Sequence, residues 1–213
     1  MSEIIYKGID LSKINGVVNF KELKNGGYNF VILRAGSGDH SDSKFEEYYQ
    51  QAKESKLEIG CYWSSHATSL NDIKEETKTF LETIKDKKFS FPCYIKFSDN
   101  RTFKCNKAEL TSMVNNWSTT IKSVGLIPGF YTDYKKVNKF NMSEIYCEKW
   151  LSKCSKYIDD YVTDEWSLWQ YAIIGNSNES TRSGKIPGCN NCSAVNADYA
   201  YKDYPKMSGI SFV

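Results

Sequence analysis

Phe91-Pro92-Cys93-Tyr94-Ile95-Lys96-Phe97-Ser98-Asp99-Asn100 is an apolar run that closes on a polar cluster. Phe91 through Phe97 reads as a buried strand. Side chains alternate along an extended chain, so Lys96 and Ser98 share one face. A buried ammonium group is costly unless paired. Lys96 therefore requires a partner elsewhere in the chain.

Working outward, Ile4 to Asp10 is a short apolar run ending on a carboxylate, and Tyr28 to Arg34 is one ending on a cation. Both read as buried strands. Phe45, Tyr49 and Ala52 mark an amphipathic helix ending near Ser55, and Leu57 to Trp63 restarts a strand. Ser69 is placed to cap a helix running to about Lys85, with Ile73, Thr77, Phe80 and Ile84 inward and the acids, Glu76 among them, on a solvated face. Asn106 caps the next helix, whose inner stripe is Leu110, Met113, Trp117, Ile121 and Val124, and Gly125 stops it. Leu126 to Thr132 is the following strand.

Beyond that point the helices shrink. The pattern predicts a short piece near Ser143 to Glu148, strands near Lys149 to Ser152 and Trp166 to Ala172, a Gly/Ser/Asn loop, and a last strand near Ala194 to Tyr199. Helices alternating with strands predict parallel βαβ units, and about eight strands predict a closed barrel. Chemistry in such barrels sits at the C-terminal strand ends. Asp10, Arg34, Lys96, Ser98, Asp99 and Asp198 should then converge on one rim.

Composition restricts the class. The 213 residues are enough for one sizeable core, and one domain is expected over 1–213, with its core at about 4–205 and a tail at 206–213. Twenty-eight basic against 26 acidic residues give a formal charge of +2, which provides no footprint for nucleic acid. No run approaches the ~20 apolar residues of a membrane span, and no signal peptide is recognisable. Seven unevenly spaced cysteines favour reduced thiols and cytoplasmic synthesis. Cys189-Asn-Asn-Cys192 lacks a second ligand pair and reads as a loop, so neither metal nor cofactor is expected.

Gly8-Ile-Asp-Leu-Ser12, Phe30 to Gly36, Ile59-Gly-Cys-Tyr-Trp63, Phe91-Pro-Cys-Tyr94, Gly129-Phe-Tyr131, Leu168-Trp-Gln-Tyr171 and Tyr201 to Pro205 occur in order. In these motifs the chain resembles glycoside hydrolase family 25, lysozymes of bacteria and phages that cut the glycan of peptidoglycan. The resemblance implies an irregular, flattened, TIM-like (β/α)5(β)3 barrel. It also implies four groove acids: one ending the first strand, two in an Asp-x-Glu ending the fourth, and one on the last strand. Asp10 retains the first of these. Lys96 and Ser98 stand at the Asp-x-Glu and Asn196 at the last, so one acid of four remains.

A hydroxyl has no acidity near neutral pH with which to protonate a glycosidic oxygen. General-acid help is worth about 10²–10⁴ in rate, and glycoside hydrolysis needs a second carboxylate beside the acid. An Asp10–Lys96 ion pair is expected, with Asp10 stabilising the ammonium. Arg34 is expected to pair with Asp10 or Asp198. Tyr62, Trp63, Tyr131, Trp169 and Tyr171 fall where the family stacks sugar rings. Asp99, Asp198 and Glu165 are weighed as substitute acids and His66 as a rim residue.

The reading that follows is a lysozyme-like barrel that has lost glycan cleavage and acts as a binding or structural protein for peptidoglycan or a related glycan. One alternative is a muramidase that hydrolyses β-1,4 MurNAc-GlcNAc links with a substitute acid. Another is a module that binds a protein partner. Without a signal peptide, a wall target would be reached through lysis or a non-classical route.

Overall fold

The computed structural model describes residues 3–154, 165–175 and 182–213. The described residues form ten strands: β1 (Tyr6–Leu11), β2 (Phe30–Ser37), β3 (His40–Ser41), β4 (Glu58–Ser65), β5 (Cys93–Phe97), β6 (Pro128–Asp133), β7 (Glu148–Ser152), β8 (Leu168–Gly175), β9 (Arg182–Ser183) and β10 (Ala194–Ala200). The helices are α1 (Phe20–Asn25), α2 (Phe45–Glu54), α3 (Leu70–Thr83), α4 (Lys107–Ser123) and α5 (Tyr204–Ser208).

Eight strands close a ring in the order β1-β2-β4-β5-β6-β7-β8-β10 and back to β1. Pairing is parallel from β1 to β8, while β10 runs antiparallel to both its neighbours. After β6 the α-helix of the repeating unit is replaced by 3-10 turns at Tyr134–Lys139 and Met142–Glu144, and β7, β8 and β10 complete the wall. Five βα units followed by three strands is the expected barrel. The short helix predicted near Ser143 to Glu148 is instead the second 3-10 turn followed by the start of β7. The Gly/Ser/Asn loop falls largely on 176–181, outside the described residues.

Alternation separates two cores. Phe30, Ile32, Tyr62, Phe91, Tyr94, Trp150, Leu168, Ala200 and Tyr204 form the filling of the barrel. Residues of opposite parity, such as Val31, Leu33, Ile59, Trp63 and Ile95, pack outward against the helices. Both faces of β4 are therefore covered, and all eight of its residues are buried.

Local chemistry sets the helix starts. Ser69 Oγ accepts from Asp72 N at 3.1 Å, and Asn106 and Glu109 form a reciprocal capping box. Two helix expectations are corrected. Val124 is 53% exposed because α4 has already ended at Ser123. Glu76 is buried, accepting from Trp63 Nε1 at 3.0 Å and from His66 N at 2.9 Å. The 206–213 segment is also attached, since Ser211 Oγ donates to buried Glu58 at 2.6 Å and Phe212 N does so at 3.2 Å.

Filling the barrel requires space as well as bulk. A Cβ at Gly129 would run into the Tyr94 ring, and one at Gly8 would lie 2.5 Å from the Phe30 ring. Gly129→Ala should cost about 1–3 kcal/mol by overpacking. In thermal melts that is a Tm lowered by roughly 2 to 12 °C for a chain of this size, and an unchanged Tm would contradict the interior packing.

Candidate functional site

The C-terminal ends of β1, β2, β4 and β5, with the opposite end of β10, bring Asp10, Arg34, Tyr62, Ser64, Lys96, Ser98 and Asn196 onto a cleft of about 330 Å³. A second cleft of about 250 Å³ shares Lys96 and Ser98 and continues past Tyr131 and Asp133. Lys96 and Ser98 thus stand on both.

Asp10 is 4% exposed. Its β10 register partner is Asn196, whose Nδ2 donates to Asp10 Oδ1 at 3.0 Å, while Oδ2 has no hydrogen-bond partner among the described residues. Burial raises its pKa, opposed by the charge of Lys96, the Asn196 hydrogen bond and Arg34. Asp198 lies opposite Gly8 and is wholly enclosed. It accepts from Trp150 Nε1 at 2.9 Å through Oδ1, and Oδ2 has no hydrogen-bond partner among the described residues. Burial holds its pKa well above the carboxylate range, and the nearby Asp10 pushes it the same way.

Lys96 does not form the expected contact ion pair. Its Nζ stands 4.3 Å from the Tyr131 ring centroid and 5.4 Å from that of Tyr62, with no ion pair or hydrogen bond among the described residues. Burial lowers its pKa and outweighs Asp10 and Asp198, which favour the ammonium. The expectation that Asp10 would dominate is therefore reversed: desolvation wins, and the aromatic faces supply only part of what water would.

Arg34 is also corrected. Its Nε donates to Asp42 Oδ2 at 2.6 Å rather than to Asp10 or Asp198. Asp42 also accepts from Lys13 N and Lys44 N, which makes it a buried anchor for the loops around β1 and β3. Ser98 is exposed and accepts from Ser64 Oγ at 2.8 Å. Asp99 turns away to Arg101, which reaches it through Nε, Nη2 and backbone N. Those bonds bring the Asp99 pKa down to about 2.

Of the five aromatic candidates, Tyr62 and Tyr131 line the clefts. Trp63, Trp169 and Tyr171 do not. Trp63 has the opposite parity to Tyr62 and packs on Phe80. Trp169 and Tyr171 flank Gln170 and belong to the outer core; Trp169 Nε1 donates to Lys153 O at 2.9 Å, and Tyr171 stacks on Tyr199 at 4.1 Å. His66 is exposed, with Nε2 3.1 Å from Ser37 Oγ. Glu165 is exposed ahead of β8. Cys192 Sγ donates to Asn15 O at 2.9 Å, and no group of metal-binding side chains occurs among the described residues.

Asp133 is the cleft carboxylate that sequence reasoning missed. It ends β6, two residues after Tyr131, and its Oδ1 caps the following turn by accepting from Lys135 N at 2.8 Å. The signal was available, since i and i+2 on a strand share a face.

The model of "Glycosyl hydrolases family 25" matches residues 9–180. An autolytic lysozyme of Clostridium acetobutylicum is 29% identical over 138 residues, which cover 64% of this chain and 41% of the relative, so the match spans less than half of that protein's length. A family 25 glycosyl hydrolase from Bacillus anthracis has the same fold, with a TM-score of 0.73, 18% identity, and coverage of 99% of this chain and 95% of that one. The modular autolysin LytC of Streptococcus pneumoniae, in complex with a synthetic peptidoglycan ligand, has a TM-score of 0.70 at 17% identity over 91% of this chain and 46% of that one. Among the described residues no helix is long and apolar enough to cross a membrane.

A carboxyl whose pKa is raised by folding leaves stability intact below its unfolded value and erodes it as pH climbs toward and through the folded one. Asp198→Asn keeps an acceptor for Trp150 and removes that titration. In melts from about pH 4 to about pH 8, variant and wild type should run close together at the acid end, with the variant gaining as pH rises. A gap that narrows with pH would contradict the assignment.

Proposed function

The chain belongs to glycosyl hydrolase family 25, and from that membership we propose that its cleft holds peptidoglycan-type glycan without hydrolysing it. The observation that carries this reading is the chemistry of the floor. Lys96 and Ser98 stand on both clefts, in the positions where the family resemblance calls for the Asp-x-Glu pair. Asn196 stands in the place of the last-strand acid and spends its amide on Asp10. The hydroxyl of Ser98 cannot protonate a leaving oxygen, which forfeits about 10²–10⁴ in rate, or roughly 3–5 kcal/mol of barrier.

Asp198 does not make up the deficit. It is fully enclosed and its burial favours the neutral acid, so it neither reaches a sugar nor activates water. Glycan binding is supported by what remains: Asp10, Asn196 and Ser98 as hydrogen-bonding groups, and Tyr62 and Tyr131 as amphipathic edges beside them. The LytC relative supports the ligand class, being itself bound to a synthetic peptidoglycan ligand.

A second reading is hydrolysis with a substitute acid, favoured by one arrangement. Asp10 and Asp133 lie on the two clefts that share Lys96, and the Asp10 pKa is raised by burial.

Two measurements separate these readings. The wild type should co-sediment with purified peptidoglycan, and failure to do so would sink the binding half. Restoring Lys96→Asp, Ser98→Glu and Asn196→Asp together should raise reducing-end release by about 10² or more over wild type. A folded triple variant that gains nothing would show that loss of these groups does not explain the chemistry.

A further inference from the structure

Lys96 is half-buried at the mouth of the barrel and lines two clefts. Its Nζ has no hydrogen bond or ion pair among the described residues and rests instead on the Tyr131 and Tyr62 faces. An exposed lysine nitrogen is protonated and hydrated, and an ion-paired one is protonated and occupied. This nitrogen belongs to a half-buried side chain with no ion pair among the described residues, and clefts adjoin it on both sides.

The groups facing it come from five strands. Asp10 on β1, Asp133 on β6 and Asp198 on β10 favour the ammonium, whereas Arg34 on β2 and burial oppose it. Burial is the largest influence and the net effect lowers the pKa of the amine. The phenols of Tyr62 on β4 and Tyr131 on β6 are held neutral by burial and supply no charge.

We propose that Lys96 is a covalent binding site for aldehydes, taking either a small aldehyde or the open-chain reducing end of a sugar as an imine. The nitrogen lone pair forms a C–N bond to the carbonyl carbon as the C=O π bond breaks, and one amine proton passes to the oxygen. The resulting carbinolamine loses its hydroxyl with the second nitrogen proton as one water, leaving C=N. Nothing is oxidised or reduced. Lysine is suited to this when buried, because its pKa moves readily and a neutral amine is the nucleophile. The proposal goes beyond glycan binding and does not depend on it.

The test uses the whole protein, incubated near neutral pH with glycolaldehyde or with N-acetylglucosamine in the presence of cyanoborohydride, which fixes the imine as a secondary amine. Peptide mapping by mass spectrometry then reads each lysine. Lys96 should be modified about tenfold or more faster than the exposed lysines, because burial leaves more of its amine free at a given pH. Asp10→Asn removes a carboxylate that favours the ammonium, so it should speed labelling at Lys96 and leave the exposed lysines unchanged. Lys96→Arg should lose the fast adduct, and the wild-type map assigns the site even if that variant folds poorly.

Fast labelling by glycolaldehyde alone supports a small-aldehyde site, and fast labelling by both probes supports a site for reducing sugars as well. Labelling of Lys96 no faster than the exposed lysines with either probe overturns the proposal. So does an Asp10→Asn variant that folds and labels more slowly. Neither readout involves peptidoglycan, so this proposal and the glycan-binding one fail separately.

Discussion

A ring of eight strands has an interior that its own side chains must fill, and the mouth of this barrel depends on how that is done. The lower interior is aromatic, with Phe30, Phe91, Tyr94, Trp150 and Tyr204 in one cluster. Glycines give these rings their space, Gly8 under Phe30 and Gly129 under Tyr94. The next inward positions upward are polar: Asp198 opposite Gly8, then Asp10 opposite Asn196. Lys96 follows Tyr94 by two residues on β5 and closes the filling from above. The same alternation that packs the core therefore delivers the Lys96 amine and two buried carboxyls to the mouth of the barrel.

The cost of that arrangement appears in the protonation of all three groups. Burial raises the pKa of Asp10 and Asp198 and lowers that of Lys96. Each group is pushed toward its neutral form, and no two of them meet in an ion pair among the described residues. Trp150 and Asn196 each satisfy one carboxyl oxygen and leave the other without a partner among the described residues. Asp42 takes the hydrogen bond of Arg34 and so ties the first loops together, while the Arg34 charge still lowers the pKa of Asp10 and of Lys96. A floor of polar groups whose charged forms burial disfavours is suited to hydrogen-bonding a sugar and poorly suited to moving protons across a glycosidic bond.

Much of this was legible in the sequence because it follows from period-two alternation and strand order. Asp10, Arg34, Lys96, Ser98 and Asn196 were expected on one rim or groove and share one cleft. Trp63, Trp169 and Tyr171 were misplaced where that same alternation went unapplied, since each neighbours an inward-facing residue. Asp133 was missed for a related reason, although it lies two positions after Tyr131. The partner of Arg34 was not legible: Asp42 reaches it only through the turn after β3, and charge sign alone offers several candidates. Nor was the protonation balance of Lys96, because a carboxylate somewhere nearby does not reveal whether burial or attraction is larger.

The most direct measurement is mass-spectrometric analysis of soluble muropeptides after prolonged incubation of the wild-type protein with purified peptidoglycan. Lost cleavage predicts no fragments above a protein-free blank while the protein remains on the insoluble glycan. Fragments with new reducing ends that disappear in Asp10→Asn or Asp133→Asn would contradict it and assign the acid that this barrel has kept.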